Sequence, residues 1–176
     1  MGSGFILHEM AHKVVAIHYG ASARFTMWIQ GLVLTMVTSL FGFLFAAPGA
    51  VYIYSQHITK KENGIISIVG PMVNIVIAIV FLILHAVKPV LFNFPFLTAP
   101  FSIWEFGAYI NIVLGLFNMI PVFPLDGSKV FMWNRGVWTL FIALVLIIGW
   151  KLFGIELVIG WALLLIIALA FSKMIF

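Results

Sequence analysis

Long apolar runs, separated by short polar or proline-containing stretches, dominate the chain and predict its secondary structure. Six of these runs are predicted to be membrane helices, with approximate limits 2–18, 27–47, 60–87, 102–120, 137–153 and 154–176. A helix needs about 20 apolar residues to span a bilayer, and it must satisfy its backbone hydrogen bonds internally because lipid cannot. We therefore expect an all-α integral membrane protein with about six transmembrane segments.

The amino-acid composition supports this fold class. Of the 176 residues, 64% are hydrophobic and 8% are charged, whereas a soluble domain carries about 25% charged residues. The net charge of +4 is spread along the chain without a basic stripe, so we expect a lipid bilayer and no nucleic acid as partner. Residues 1–176 contain no repeat or linker and are predicted to form one domain.

Two histidines in the first apolar run suggest a metal site. In the sequence His8-Glu9-Met10-Ala11-His12 the two imidazoles are four residues apart, so a helix places them on one face. Glu9 lies beside them, where a zinc hydrolase carries its general base. The alternative is a pair of surface histidines on a soluble helix, which the apolar flanks disfavour.

The chain has five acidic residues, and most of them have a structural explanation. Glu62 and Glu105 each follow a Thr or Ser three positions earlier, which is the capping-box pattern at a helix start. Glu156 falls in the first turn of the last predicted helix, where the helix dipole favours a carboxylate. Glu9 and Asp126 are left as the candidates for a catalytic or metal-binding role.

Asp126 is the candidate third metal ligand. Pro121 and Pro124 prevent a regular helix just before it, and such opened backbone at membrane depth is tolerated only where it faces protein or water. A catalytic zinc ion commonly has three protein ligands and one open position. The competing interpretation is that Asp126 caps a short helix through Lys129.

The remaining histidines are not predicted to be ligands. His18 lies ten residues after His8, the metzincin spacing, but those proteins need a glycine at the position that Val15 occupies here. His18 is therefore interpreted as an interfacial residue and His57 as a loop residue. His85 is interpreted as a histidine satisfied at a helix end.

The predicted topology brings the candidate site together at one level of the membrane. If 27–47 crosses the bilayer, His8 and His12, the stretch 70–74 and Asp126 all lie near the side on which the chain starts. That side would carry five Lys or Arg residues against four on the other, which favours it as cytoplasmic. The protein is thus expected to be a multi-pass cell-membrane protein with its site nearer the cytoplasm.

Three motifs in this order resemble the site-2 protease family of intramembrane zinc metalloproteases. They are His8-Glu9-x-x-His12, Gly70-Pro71-x-x-Asn74 and Asn118-x-x-Pro121-x-x-Pro124-Leu125-Asp126-Gly127. They cover a core of about residues 4–130, which leaves 137–176 as accessory helices. No PDZ or CBS domain accompanies them, so the sequence is similar to a minimal, archaeal-type member. The family has a helix before the metal-binding helix, and residues 1–4 look like an expression scar, so we expect an N-terminal truncation.

The resemblance implies a function and a set of site residues. One Zn²⁺ per chain would be bound by His8, His12 and Asp126, with Glu9 as the catalytic base. Asn74 and Asn118 would bind the substrate backbone or the oxyanion. The substrate would be a transmembrane protein whose helix unwinds locally before its peptide bond is hydrolysed. A metal-ion transporter that uses the same His and Asp groups is the alternative, and a non-catalytic membrane scaffold is a third.

Two other stretches have a suggested role. The β-like segment 51–54 and the proline-rich stretch before Asp126 are candidate docking edges for an extended peptide. Gly107, Asn111 and Gly115 recur every four residues and are interpreted as a surface for close helix packing.

Overall fold

The protein is mostly helical, with two small antiparallel sheets. The computed structural model describes residues 2–27, 29, 33, 49–54, 57–92 and 100–175. Within these residues the elements follow in the order α1 (Gly2–His18), β1 (Ser22–Met27), β2 (Gly49–Tyr54), α2 (Lys60–Val87), β3 (Leu91–Phe92), β4 (Phe101–Ser102), α3 (Ile103–Asn118), α4 (Asp126–Trp133), α5 (Arg135–Phe153) and α6 (Ile155–Ile175).

Local sequence signals determine where the central helices begin. Thr59 and Glu62 form a reciprocal capping box at the start of α2, with Thr59 Oγ1 accepting from the Glu62 N–H at 3.2 Å. Ser102 caps α3 by accepting from the Glu105 N–H at 3.3 Å. These side chains satisfy backbone donors that the first helical turn leaves without partners. The predicted starts of both helices agree with the structure.

Three described helices are long and apolar enough to cross a membrane, judged by length and composition. They cover Lys60–Val87, Arg135–Phe153 and Ile155–Ser172, while α3 is apolar but shorter. The predicted fold class, a helical membrane protein, is confirmed. The count of six transmembrane segments stays a prediction, because the run 27–47 lies almost wholly outside the described residues.

A two-stranded sheet follows α1. Strands β1 and β2 pair antiparallel, with Phe25 opposite Val51 and Ala23 opposite Ile53. The β-like character of 51–54 indicated the second strand, but nothing in the sequence predicted the first. A strand of this length is stabilised by its pairing partner, which lies more than twenty residues away here.

Helix α2 is the central element, because α1, α3 and α4 all pack against it. The core of the bundle is built around residues that are almost completely buried: Leu116, Met119, Ile120 and Val130. Ile66 is equally buried but belongs to a smaller cluster with Ala16 and Ala21. The short helix α4, which the sequence had suggested only as an alternative role for Asp126, packs against α2. Trp138 connects α5 to the end of α3 by donating its indole N–H to the Met119 carbonyl at 2.7 Å.

Candidate metal centre

His8 and His12 lie on the buried face of α1, one helical turn apart. Their exposed fractions are 3% and 6%, and the two rings meet edge to face with centroids 4.6 Å apart. Both rings press against α2 at Gly70. A Cβ added at Gly70 would lie 2.6 Å from His8 Nε2 and 2.5 Å from His12 Cε1. Only glycine therefore leaves room for the two imidazoles to approach this helix.

Asp126 completes a compact group of three donor atoms. Its Oδ2 lies 3.3 Å from His8 Nε2 and 3.0 Å from His12 Nε2, and the two Nε2 atoms are 3.0 Å apart. Asp126 is the first residue of α4, and Leu125 rather than Asp126 occupies the N-cap position. The alternative that Asp126 caps this helix is therefore wrong, and its carboxylate points at the histidines instead.

The opposite nitrogen of each imidazole is engaged by an acceptor. His8 Nδ1 lies 2.7 Å from Asn74 Oδ1, and His12 Nδ1 lies 2.7 Å from the Ile66 carbonyl oxygen. An amide oxygen and a carbonyl oxygen can only accept, so each Nδ1 must carry the ring proton. In the neutral rings both Nε2 atoms are then unprotonated, and their lone pairs face each other and the Asp126 carboxylate.

This donor set fits a zinc ion. Two lone pairs and a carboxylate oxygen at these separations repel one another unless a proton or a metal cation lies among them. Zinc binds imidazole nitrogen and carboxylate oxygen at about 2.0–2.2 Å in tetrahedral geometry, which separates ligand atoms by about 3.3 Å. The observed separations of 3.0–3.3 Å match that spacing. Ligand histidines also commonly donate their second nitrogen to a carbonyl or carboxylate, as both do here.

Glu9 lies beside the three donor atoms but is engaged elsewhere. Its carboxylate is within 4.8 Å of ligand atoms of both histidines. One of its oxygens accepts a hydrogen bond from the Val51 N–H of β2 at 2.8 Å. It also borders a cavity of about 150 Å³, whose other lining residues include His12, Asn118, Asp126 and Lys129. Glu9 is thus placed next to a space in which a water molecule and a peptide could meet the site.

The two asparagines that the resemblance implied have different surroundings. Asn118 lines the cavity and donates its amide to the Leu114 carbonyl at 3.0 Å. Asn74 is 0% exposed and its amide oxygen is the partner of His8. The predicted contact of either residue with substrate stays a prediction. His85, by contrast, bonds Ser102 at 2.8 Å, in agreement with its interpretation as a satisfied helix-end residue.

Lys129 Nζ lies 3.4 Å from Asp126 Oδ1, the oxygen that does not face the histidines, so Lys129 contacts Asp126 as the capping alternative had suggested, although Leu125 occupies the N-cap position. Two other contacts at the site were not predicted from the sequence. The Ile66 carbonyl orients His12, although no side chain signals it. Asn111, interpreted only as a packing residue, contacts Asn74. The four-residue spacing of Asn111 on an apolar helix was the one signal that could have indicated a buried polar contact.

Comparison with known proteins identifies the family. Residues 96–136, which include Asp126, match the model of peptidase family M50. The chain is 44% identical over 142 residues to a Methanocaldococcus jannaschii protein named "Putative zinc metalloprotease", with 80% of this chain and 71% of that protein covered. The chain belongs to peptidase family M50.

Two further proteins are similar to the chain at lower identity. A zinc metalloprotease of the same archaeon is 30% identical over 126 residues, which cover 71% of this chain and 30% of that protein. A solved site-2 protease from Methanocaldococcus jannaschii matches at 22% identity with a TM-score of 0.47, covering 97% of this chain and 74% of that one.

Membership of M50 confirms the resemblance to site-2 proteases and the predicted enzyme class, a zinc metalloprotease. It also confirms Zn²⁺ as the cofactor, since the family acts through zinc and the described residues bring a His-Glu-His cluster together. The chain is a membrane protein that acts on protein substrates in a membrane. None of the relatives named here is described as a transporter.

Proposed function

We propose that His8, His12 and Asp126 hold one catalytic zinc ion, and that Glu9 is the general base for peptide-bond hydrolysis within the membrane. The observation that supports this most is the buried convergence of two Nε2 atoms and one carboxylate oxygen within 3.3 Å of one another. Glu9 is less suitable as a ligand, because its carboxylate is held by the Val51 N–H.

Each residue of the site has its own role in the proposed reaction. A zinc ion in this position supplies Lewis-acid activation of water and of the substrate carbonyl. Glu9 accepts a proton from the attacking water and delivers it to the leaving amide nitrogen. Asn74 and the Ile66 carbonyl keep both imidazoles oriented, and Lys129 holds the outer oxygen of Asp126. Asn118, on the cavity wall, is our candidate donor to the oxyanion.

The substrate is proposed to be a transmembrane segment that unwinds before cleavage. Peptide bonds in a helix have their N–H and C=O groups hydrogen-bonded, so helix-breaking residues in the substrate should accelerate cleavage. The cavity beside Glu9 is bordered by Val51 and Ile53 of β2 and by Pro124. These residues belong to the two stretches suggested as docking edges, and their position on the cavity wall supports that suggestion.

The membrane arrangement is part of the same proposal. We expect a multi-pass protein in the cell membrane, a single domain over residues 1–176, and a site nearer the cytoplasmic side. The packing of α1, α3 and α4 on α2 supports a single unit for the described part of the core. Labelling of single cysteines introduced at Thr59 and Lys88 from either side of the membrane would test the orientation.

Metal analysis combined with a Glu9→Gln variant tests the catalytic proposal. We expect about one zinc ion per chain in both the wild type and Glu9→Gln. Cleavage of a transmembrane peptide should fall by about 10²–10⁴-fold in the variant, because general-base catalysis contributes that much. Glu62→Gln is the matched control and should cleave normally, since Glu62 only caps α2.

Two results would contradict the proposal. Zinc bound with unchanged affinity after His8→Ala or Asp126→Ala would remove these residues as ligands. Full cleavage by Glu9→Gln would remove Glu9 as the base and would return attention to ion transport, which needs no proton acceptor at that position.

A further inference from the structure

A chain of buried side-chain amides connects His8 to helix α3. His8 Nδ1 meets Asn74 Oδ1 at 2.7 Å, Asn74 Nδ2 donates to Asn111 Oδ1 at 3.5 Å, and Asn111 Nδ2 donates to the Gly107 carbonyl at 2.8 Å. The three side chains are buried, with exposed fractions of 3%, 0% and 2%. This series of hydrogen bonds therefore connects α1, α2 and α3 without contact with solvent.

The hydrogen bond between Asn111 and the Gly107 carbonyl determines which group donates and which accepts in the whole series. The Gly107 carbonyl can only accept, so Asn111 must turn its NH₂ group toward it and its oxygen toward α2. That oxygen can only accept, so Asn74 must offer it the NH₂ group. The oxygen of Asn74 is then left for His8, whose Nδ1 must carry the proton. A backbone carbonyl on α3 thus decides which nitrogen of His8 faces Asp126 as a lone pair.

The two histidines differ in how their protonation is controlled. His12 bonds the backbone carbonyl of Ile66, which cannot reverse its polarity. His8 bonds a side-chain amide, whose oxygen and nitrogen exchange places when the group rotates by half a turn. A rotated Asn74 would present NH₂ to His8 Nδ1 and would favour a proton on Nε2, where a metal ligand needs a lone pair. His8 therefore needs a further residue that prevents this rotation.

We propose that Asn111 is this positioning residue, and that it acts on the metal site through Asn74 by selecting the Nδ1–H form of His8. The inference rests on the proposed function only in taking His8 as a zinc ligand. Asn111 is closely enclosed, because a Cβ added at Gly4 of α1 would collide with its Oδ1. This close approach holds the amide of Asn111 between α1 and α2.

A double-mutant cycle, with zinc affinity as the measured quantity, distinguishes this role of Asn111 from simple packing. The variants are Asn74→Leu, Asn111→Leu and the double variant, since leucine keeps the branched shape of asparagine without its polar atoms. We expect each single variant to weaken zinc binding by about 10–100-fold, the usual effect of losing an outer partner of a metal-bound histidine. If Asn111 acts through Asn74, the double variant should bind zinc as Asn74→Leu does. Losses that multiply in the double variant would overturn the proposal.

The proton position on His8 can be measured directly in the zinc-free protein. We would record ¹⁵N spectra of histidine-labelled protein in detergent, at a pH where the rings are neutral, and assign His8 from a His8→Gln spectrum. The wild type should show His8 protonated at Nδ1, and Asn111→Leu should shift a substantial fraction to Nε2. An unchanged Nδ1–H form in Asn111→Leu would overturn the proposal.

Ile112→Ala is the matched control for loss of packing on α3. Ile112 is 3% exposed and belongs to the apolar core, so the variant loosens the same helix without removing a polar contact. It should leave both the His8 spectrum and the zinc affinity unchanged, and a shift as large as that of Asn111→Leu would reduce Asn111 to a packing residue. If the wild type bound no zinc, the proposed function would fail, while the spectra of the zinc-free protein would still decide the role of Asn111.

Discussion

Gly70→Ala should strongly weaken zinc binding without unfolding the protein. Gly70 lies in the interior of α2, directly against the two Nε2 atoms. The added methyl carbon would lie 2.6 Å from His8 Nε2 and closer still to His12 Nε2, which is where a shared cation would be bound. The methyl group and the metal ion would therefore compete for the same space.

The size of the effect follows from these contacts. Non-bonded heavy atoms separate to about 3.5 Å, so His8 Nε2 would have to retreat by about 0.9 Å. Metal–ligand distances in a zinc site stay within about 0.2 Å of their usual values. We therefore expect zinc affinity to fall by more than about 100-fold, beyond the loss caused by removing an outer hydrogen-bond partner. Alanine is favoured over glycine in a helix interior by about 1 kcal/mol, which offsets part of the strain on folding.

The assay is zinc affinity by chelator competition, together with thermal unfolding of the zinc-free protein in detergent. Gly160→Ala is the control, because a Cβ at that helical glycine meets nothing within 4 Å. It should leave zinc affinity unchanged. Retention of wild-type affinity by Gly70→Ala would refute the reasoning, since it would mean that the metal does not lie between the histidines and α2.

Two further predictions concern groups around the site. Val51→Pro should slow peptide cleavage while zinc stays bound, because it removes the N–H that holds Glu9 and that points away from β1. Phe25 lies directly opposite Val51 and likewise points its N–H away from its partner strand, so Phe25→Pro, outside the cavity wall, is the control. Equal losses in both variants, measured as kcat, would show that only the integrity of the sheet matters. Thr59→Ala should lower the free energy of unfolding by about 1 kcal/mol, by removing the side-chain acceptor for the Glu62 N–H, and zinc affinity should not change. A weaker zinc complex in a titration would contradict a purely capping role.

Whether the sequence predicts a contact at the site depends on how far apart the two partners lie along the chain. His8 and His12 share a face because the α-helix repeats every 3.6 residues, so their pairing follows from spacing alone. The choice of Asp126 followed from elimination among five acidic residues and from the prolines before it. The partners of the two Nδ1 atoms could not be predicted in this way. They belong to α2, and which groups of α2 face α1 depends on how the two helices cross.

Strand β1 and helix α4 show the same limit. Neither has a strong internal pattern, and both are stabilised by contacts with segments distant in sequence: β1 with β2, and α4 with α2. Asn111 is the clearest case among the site residues. Its spacing on α3 is that of a packing position, and only the approach of Gly4 and Asn74 gives its amide a defined direction.

The sequence by itself determined the helical membrane class, the limits of α2 and α3, and the three motifs that supply the metal site. It could do so because apolar length, capping residues and helical periodicity act over a few residues. The tertiary structure alone decided which oxygen of Asp126 faces the histidines, which nitrogen of each imidazole is a lone pair, and what holds Glu9. These properties depend on hydrogen bonds between α1, α2, α3, α4 and β2, whose partners meet only when the chain is folded.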